Sequence, residues 1–353
     1  SRVSRGLGDV YKRQNYNQSL TTQLYVIAGV LFGTYCSRVC PMLDTLTTLE
    51  IFTQVSIVFA LVWLVRHFLF AHHTLVKQGR FAQLDSLLFF VASVPFALYY
   101  NLSYDFTIDS NLKVVFGMTL FGFFTGSILQ LKAKLNQIDK MEKSGQFDFQ
   151  LVGERSSLVN QMIGLVIVLL ITLTTMLTMV AVKDIFWLEN NPERLLDGTG
   201  KVSVIKEFIY LALVLGGYAI TIMTLWNKLI KRILLSQECA LNKVTQGEPG
   251  IRLPIFGYNE LGSMASMTNI MLDSLETAQN EVKTTRDVAI VSLSALAESR
   301  DNETGAHILR TQEYVKVLAQ ELSRSETHAN LLTPNYIELL YKSAPLHLSL
   351  IHI

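Results

Sequence analysis

An uncharged apolar run, MIGLVIVLLITLTTMLTMVAV, occupies residues 162–182. An α-helix rises about 1.5 Å per residue, so about 20 apolar residues cross a hydrocarbon core of about 30 Å. A backbone in lipid must satisfy its polar groups internally, and a helix does so within one segment. The run therefore predicts a membrane-spanning helix, and any fold for this chain must place it in a bilayer.

Apolar windows of similar length recur on both sides of this run. Six windows are long and apolar enough, or nearly so, to cross a bilayer: 21–41, 52–70, 85–101, 112–131, 160–182 and 206–226. The chain has 353 residues, of which 50% are hydrophobic and only 17% are charged, whereas about a quarter of the residues in a soluble domain are charged. These patterns predict an all-α protein in which residues 15–226 form a six-helix region in the lipid bilayer.

Lysine and arginine in the connecting segments predict the orientation, because cytoplasmic loops carry the excess of both. They are frequent in 66–84 and 132–159 and absent from 101–111, and the basic segment NKLIKRI follows the last window. This distribution places the C-terminal part of the chain in the cytoplasm. The segment 183–205 departs from the pattern, since three basic residues there accompany four acidic ones.

Ionisable residues are scarce within the six windows away from their ends. Charged side chains inside a membrane region are energetically expensive and mark ion or substrate pathways. Their scarcity disfavours a transporter with a regulatory tail and favours a membrane anchor and sensor. The net charge of +1 gives no case for a nucleic acid partner.

The last window continues without a break into a helix with apolar positions every three or four residues. The seam of this helix consists of Ile230, Leu234, Gln237, Leu241 and Val244. Gly247 and the Pro249-Gly250 pair then end it. A second helix is predicted after Asn259, a suitable N-cap, with Glu260 favoured at the positive helix start. Its seam consists of Leu261, Met264, Thr268, Met271, Leu275, Ala278 and Val282.

Two seamed helices joined by a Gly/Pro connector must bury their seams. A parallel four-helix bundle of two chains is one solution, and an ordinary dimeric coiled coil is the alternative. The segment VTQGEPGIRLPIFGYNELGSMASMTNIMLDSL resembles a HAMP domain, the relay of membrane-bound bacterial signalling proteins, over 227–277. The matching features are Gly247 after the first helix, NELG with Glu260 and Gly262 at the start of the second, and NIM within it. The resemblance implies a homodimer, through HAMP and stalk helices, in a bacterial inner membrane.

A helical stalk is predicted at 278–299, and the phrase SRDNETGAH follows it. Glu303 and His307 are four residues apart, so they would share one face of a helix and could ligate one metal ion. Arg300 and Asp301 lie just before them and could orient the pair by hydrogen bonds. On spacing alone, a solvated Glu/His pair on a helix surface is the favoured interpretation.

The whole phrase ALAESRDNETGAHILRTQEYVKVLAQEL resembles the opening helices of the HD-GYP family, a branch of the HD-domain phosphohydrolases. LLTPNYIELLYKSAPLH resembles that family's next helix, with Thr333 as its cap and Pro334 in its first position. In the family, the phrase ending LH continues with an aspartate, which completes the His-Asp doublet. The resemblance covers 285–347, so 300–347 is expected to be the N-terminal part of a truncated all-α HD-GYP domain.

The HD-GYP resemblance implies a phosphodiesterase that opens cyclic di-GMP, a bacterial second messenger. Members hold two or three divalent metal ions, commonly iron or manganese, which generate hydroxide and clamp phosphate oxygens. Position by position, the resemblance makes Glu303, His307 and His347 metal ligands. Since three ligands do not make a two-metal site, we expect metal binding and hydrolysis in the full-length parent and neither in this fragment.

The two termini carry related short strings, DVYKRQ at 9–14 and LSLIHI at 348–353. Opposite strands of one short DNA can encode both, and that DNA resembles a transposon end used in sequencing libraries. Segments of library origin are excluded from fold reasoning. We therefore expect 1–14 and 348–353 to be adapter-derived, with the natural sequence stopping at His347. Coincidence between two short strings is the alternative.

Two further functional hypotheses remain beside the phosphodiesterase. The first is a non-catalytic HD-type binding module, in which ligands beyond His347 are lost. The second is another HAMP-containing membrane receptor, such as a sensor kinase or chemoreceptor. RDNETGAH does not resemble the kinase phospho-acceptor phrase, and the sequence lacks a long receptor coiled coil.

Overall fold

The computed structural model describes residues 18–39, 46–72, 80–106, 108–145, 147, 149, 151, 155–190, 192–196, 198–246, 250–301, 306–325 and 327–346. The predicted adapter segments, Gly247, Glu303 and His347 lie outside these residues. Of the residues that the structure describes, 88% are helical and none lies in a strand. The all-α prediction is therefore confirmed.

Long apolar helices dominate the first two thirds of the chain. In chain order the helices are α1 (Gln18–Val39), α2 (Thr48–His72), α3 (Phe81–Tyr104), α4 (Ile108–Ser144), α5 (Leu158–Asn190), α6 (Pro192–Leu196), α7 (Thr199–Thr245), α8 (Glu260–Asp301), α9 (Ala306–Leu322) and α10 (Pro334–Ser343). Six of these, α1 to α5 and α7, are long and apolar enough to cross a membrane. This result confirms the six predicted membrane helices.

Helices α3 and α4 form the most extensively packed pair in the membrane region. A Cβ atom at Gly122 would lie 2.7 Å from the carbonyl oxygen of Asp85, and one at Gly126 would lie 2.6 Å from that of Phe81. Small residues spaced four apart allow helix backbones to approach closely in a membrane. The two glycines of α4 therefore fix its contact with α3.

Aromatic side chains fill the space between α1, α2, α3 and α4. The ring of Phe32 lies 5.7 Å from that of Phe59 and 5.6 Å from that of Phe121, measured between centroids. Phe59 also meets Phe89 edge to face at 4.9 Å. Such aromatic pairs contribute about 0.5–1.5 kcal/mol each beyond the apolar area that they bury. This aromatic cluster holds the first four helices together.

A buried ion pair joins α2 to α3. The Arg66 Nε lies 2.5 Å from an Asp85 carboxylate oxygen, and the two side chains are 1% and 0% exposed. The Tyr25 hydroxyl of α1 donates a hydrogen bond of 2.9 Å to the same oxygen. The Arg66 guanidinium also lies over the rings of Tyr25 and Phe81, at 5.8 and 5.7 Å from their centroids.

The two residues lie near the ends of the predicted windows 52–70 and 85–101, so the pair agrees with the expectation that charges are scarce away from the span ends. The predicted windows stopped near both residues, but α2 extends to His72 and α3 begins at Phe81. Arg66 therefore lies in a helix and not in the predicted loop 66–84. Its charge is tolerated because the carboxylate lies directly beside it.

A second charged cluster joins α5 to α7. The Lys183 Nζ lies 2.7 Å from Asp184 and 2.5 Å from Glu207, and all three side chains are largely buried. Helix α5 continues to Asn190, so Lys183 and Asp184 are helical and not part of the predicted loop 183–205. The segment 183–205 departs from the expected distribution of loop charges partly because Lys183 is not in a loop but is largely buried beside Asp184 and Glu207.

Two compact units make up the chain, one of residues 1–246 and 253–266 and the other of 247–252 and 267–353. Helix α7 has 47 residues, which correspond to about 70 Å at about 1.5 Å per residue. It is therefore far longer than a bilayer core, and the prediction that the last span continues without a break is confirmed. Helix α8 is likewise continuous over 42 residues.

Candidate functional site

The start of α8 is built by a short connector that ends in Asn259. The Asn259 Oδ1 accepts the backbone N–H of Gly262 at 2.9 Å, and the Asn259 Nδ2 donates to the carbonyl of Phe256 at 3.3 Å. This arrangement is that of a helix N-cap, in which a side-chain oxygen satisfies an amide of the first turn. The prediction that Asn259 caps the second helix is confirmed.

Two glycines shape the turn that precedes α8. Gly257 has a φ of +94°, in the left-handed region that glycine tolerates best. Gly262 lies against it, and a Cβ atom at 262 would collide with the carbonyl oxygen of Gly257. The predicted NELG motif therefore has a physical reason for its glycine, which is the close approach of two backbone segments.

Glu260 lies in the first turn of α8 and contacts a distant part of the chain. Its Oε2 accepts the backbone N–H of Leu158, the first residue of α5, at 2.7 Å. A hydrogen bond from the Ser157 hydroxyl, followed by backbone N–H groups, lowers the pKa of this carboxyl group below 4.5. The sequence placed Glu260 at a helix start but gave no indication of Leu158, because the two residues are 102 positions apart.

The connector and both flanking helices form a small core. Leu253 and Ile255 of the connector are buried at 2% and 1% exposure. Gln237 of α7 is also buried, and its Nε2 donates to the carbonyl of Leu261 at 3.2 Å. Gln237 filled an apolar register in the predicted seam, and the hydrogen bond explains how a polar side chain occupies this position.

The other predicted seam residues lie mostly on a different face. Leu234 on α7 and Met264, Met271 and Leu275 on α8 are exposed. Within one chain, the buried positions of α7 after the membrane are Leu229, Ile233, Gln237 and Ala240. Both helices therefore carry an exposed apolar face beside a buried one.

Arg252 belongs to the second unit, in which it pairs with two carboxylates of α8. Its guanidinium lies 2.6 Å from both Asp273 and Glu276. Hydrogen bonds to Glu276 and then to Asp273 raise the pKa of Arg252 above its usual range. Since all three side chains retain access to water, the pairs position the connector more than they stabilise the fold.

The predicted metal ligands fall near the junction of α8 and α9. Helix α8 ends at Asp301 and α9 begins at Ala306, which places His307 in the first turn of α9, where it is half-buried. The His307 backbone carbonyl accepts the Thr311 hydroxyl at 2.9 Å. Arg300 and Asp301 end α8, and Glu303 and His347 lie outside the described residues. Thus His307 alone of the three predicted ligands is described.

Helix α10 forms as predicted. Thr333 caps it by accepting the backbone N–H of Tyr336 at 3.3 Å, and Pro334 takes the first position. The buried Gln312 side chain of α9 donates to the carbonyl of Tyr341 at 3.1 Å, which ties α10 to α9. Lys342 lies 3.0 Å from Asp287 and 2.8 Å from Glu338.

The donor chemistry of Glu303, His307 and His347 suits iron, manganese or zinc, because carboxylate oxygen and imidazole nitrogen bind all three. In the portion of the chain that the structure describes, no three His, Cys, Asp or Glu residues are grouped so that they could hold a metal ion. Of the three proposed ligands, only His307 belongs to that portion.

An all-helical, multi-pass membrane protein is thus the class that the fold defines. Residues 24–210 match the MASE10 family, a sensor domain that covers most of the membrane region. A cyclic di-GMP phosphodiesterase of Vibrio cholerae is 61% identical over 336 residues, which are 95% of this chain and 68% of that protein. The chain belongs to the MASE10 family and to the same family as this phosphodiesterase.

A shorter similarity involves a second Vibrio cholerae protein, named "Probable cyclic di-GMP phosphodiesterase". It is 46% identical over 79 residues, which are 21% of this chain and 18% of that protein. No solved structure matches the chain significantly. Both of these relatives are therefore named as cyclic di-GMP phosphodiesterases, the second as a probable one.

Proposed function

We propose that this chain belongs to a bacterial inner-membrane signalling protein whose full-length parent hydrolyses cyclic di-GMP. The observation that carries the proposal is the 61% identity, over 95% of the chain, with a cyclic di-GMP phosphodiesterase. The resemblance of RDNETGAH to the HD-GYP opening phrase supports the same activity. The hydrolytic domain lies in the cytoplasm, as the basic loops on that side indicate.

The proposed organisation follows the helices. Residues 15–226 sense or anchor, 227–277 form a HAMP relay, 278–299 form a signalling helix, and 300–347 begin the HD-GYP domain. Two chains pack through the exposed apolar faces of α7 and α8. A stimulus in the membrane region shifts this packing, and the shift reaches the hydrolytic domain with a coupling free energy of about 1–3 kcal/mol.

The proposed metal site combines Glu303 and His307 with His347, while Arg300 and Asp301 orient the first pair by hydrogen bonds. When bound, the metal ions supply a hydroxide nucleophile and neutralise charge on the phosphate. Glu303, His307 and His347 hold and orient these ions. This chain carries only these three of the ligands, so we propose that it is inactive by itself.

Replacement of His307 tests the site in the full-length parent. His307→Ala should lower the rate of cyclic di-GMP hydrolysis by at least about 100-fold, because loss of a ligand should cost no less than loss of an outer partner. Chromatography of the linear dinucleotide, with Mn²⁺ or Fe²⁺ supplied, measures the rate. His328→Ala is the matched control, since this exposed histidine is not a predicted ligand and contacts Thr327 at 3.0 Å.

Two results would contradict the proposal. Full activity of His307→Ala would remove this residue from the metal site. A parent that leaves cyclic di-GMP intact would favour the non-catalytic binding module or another HAMP-containing receptor. In contrast, an active parent and an inactive 353-residue chain would support both parts of the proposal.

A further inference from the structure

Two backbone N–H groups at or just before the start of α5 donate hydrogen bonds to residues at or just before the start of α8. The Leu158 backbone N–H donates to the Glu260 carboxylate at 2.7 Å, and the Ser156 N–H donates to the carbonyl of Tyr258 at 2.9 Å. The Ser157 hydroxyl donates to the same carboxylate. A loop of the MASE10 domain, residues 155–158, is thus docked on the start of α8.

The Glu260 carboxylate lies at two helix starts at once. Ser157 caps α5, because its hydroxyl accepts the Asn160 N–H at 3.0 Å, and Glu260 itself begins α8. Each helix start presents unpaired N–H groups and partial positive charge. The Ser157 hydroxyl first, and then the backbone N–H groups of Glu260 and Leu158, lower the pKa of Glu260, so the carboxylate stays ionised at neutral pH and the contact persists there.

Side-chain contacts from α4 reinforce the same region. Phe147, which follows α4, meets the connector residue Phe256 edge to face, with 6.4 Å between ring centroids. Arg232 of α7 lies 2.6 Å from Glu142 of α4. The ends of α4 and α5 that point toward the connector are therefore tied both to α7 and to the turn into α8.

We propose that loop 155–158 is a second coupling element between the membrane region and the relay, acting in parallel with the continuous helix α7. Movement along α7 reaches the first relay helix directly. Movement of α5 reaches the second relay helix through Leu158 and Glu260. Helix α8 would then respond to displacement of α5 relative to α7. This inference rests on the proposed HAMP relay.

Two variants of the full-length parent remove the contact in different ways. Glu260→Gln removes the charge. Leu158→Pro removes the donor N–H. Proline suits the first position of a helix, and the extended backbone of the preceding cap residue tolerates a proline after it. Leu158→Ala is the control for lost side-chain packing, and Glu281→Gln is the control for charge, since Glu281 is an exposed residue of α8.

Hydrogen exchange in lipid nanodiscs reports the contact itself. Glu260→Gln and Leu158→Pro should raise amide exchange at residues 260–264 relative to the two controls. Equal exchange in all four variants would overturn the proposal, because the docked loop would then not hold the start of α8. This readout does not depend on enzymatic activity.

The rate of cyclic di-GMP hydrolysis reports the coupling. A coupling element should change this rate about five-fold or more when it is broken, whereas Glu281→Gln should match the wild type and Leu158→Ala shows how much of the change comes from lost packing. Raised exchange with an unchanged rate would overturn the coupling role and leave only a structural contact. If the parent lacks hydrolysis, the proposed function fails. Coupling is then measured by the rate at which Leu275→Cys forms a disulfide between two chains. If Glu260→Gln leaves this rate of disulfide formation unchanged, the coupling role is overturned.

Discussion

Single residues at the turn into α8 have clear physical roles. Gly257 supplies a left-handed backbone, and Gly262 leaves room for the Gly257 carbonyl. Asn259 then caps the helix, and Glu260 reaches the start of α5. The four residues lie between positions 257 and 262, so a change in any of them alters how the connector enters α8.

Replacement of Gly262 tests this geometry. Gly262→Ala places a Cβ atom against the backbone carbonyl of Gly257, which cannot move as a side chain would. We expect a loss of about 1–3 kcal/mol in the free energy of unfolding, typical of overpacking, measured by denaturant titration in detergent micelles. Gly250→Ala is the control, because a Cβ atom there meets nothing within 4 Å. Equal stability of the two variants would contradict this account.

At the scale of elements, Arg66, Asp85 and Tyr25 connect α1, α2 and α3 at one point. The carboxylate receives both the guanidinium and the Tyr25 hydroxyl on the same oxygen. Both charges are almost fully removed from solvent. In such a pair, loss of one partner leaves an uncompensated buried charge, whereas loss of both partners leaves no buried charge that needs a partner.

A double-mutant cycle measures this pair. Arg66→Met or Asp85→Asn alone should each lower stability by about 3–5 kcal/mol, and the double variant should lose much less than the sum. Unfolding in mixed micelles, followed by circular dichroism, provides the free energies. Lys201→Met, at an exposed position near the start of α7, is the control. Additive losses would show that the two side chains act independently.

The elements were predictable from sequence to different degrees. Apolar windows predicted all six membrane helices, and local signals predicted the Asn259 and Thr333 caps, because hydropathy and capping depend on neighbouring residues. The Arg66–Asp85 pair was missed, since its formation depends on how α2 packs on α3. The Glu260–Leu158 contact was missed because no local pattern links residues 102 positions apart.

For the whole molecule, the long helices α7 and α8 link the membrane region to the C-terminal segment. The proposed boundary between the HAMP relay and the signalling helix, at 277, falls inside α8. A rotation or tilt of α8 would therefore pass this boundary without a flexible joint. Its exposed apolar residues, which include Met271 and Leu275, remain to be covered. A second copy of the chain is the proposed partner.

Cysteine cross-linking in membranes tests this assembly. Leu275 lies on the predicted seam of α8, and Thr277, two residues further on, lies on roughly the opposite side of the helix because 3.6 residues make a turn. With Cys36, Cys40 and Cys239 replaced, Leu275→Cys should form a disulfide-linked dimer readily. Thr277→Cys should form at most about a tenth as much, since a cross-link requires Cα atoms within about 7 Å. Equal yields at the two positions would contradict a parallel pairing of α8 through its seam, because random collisions between chains would then explain both.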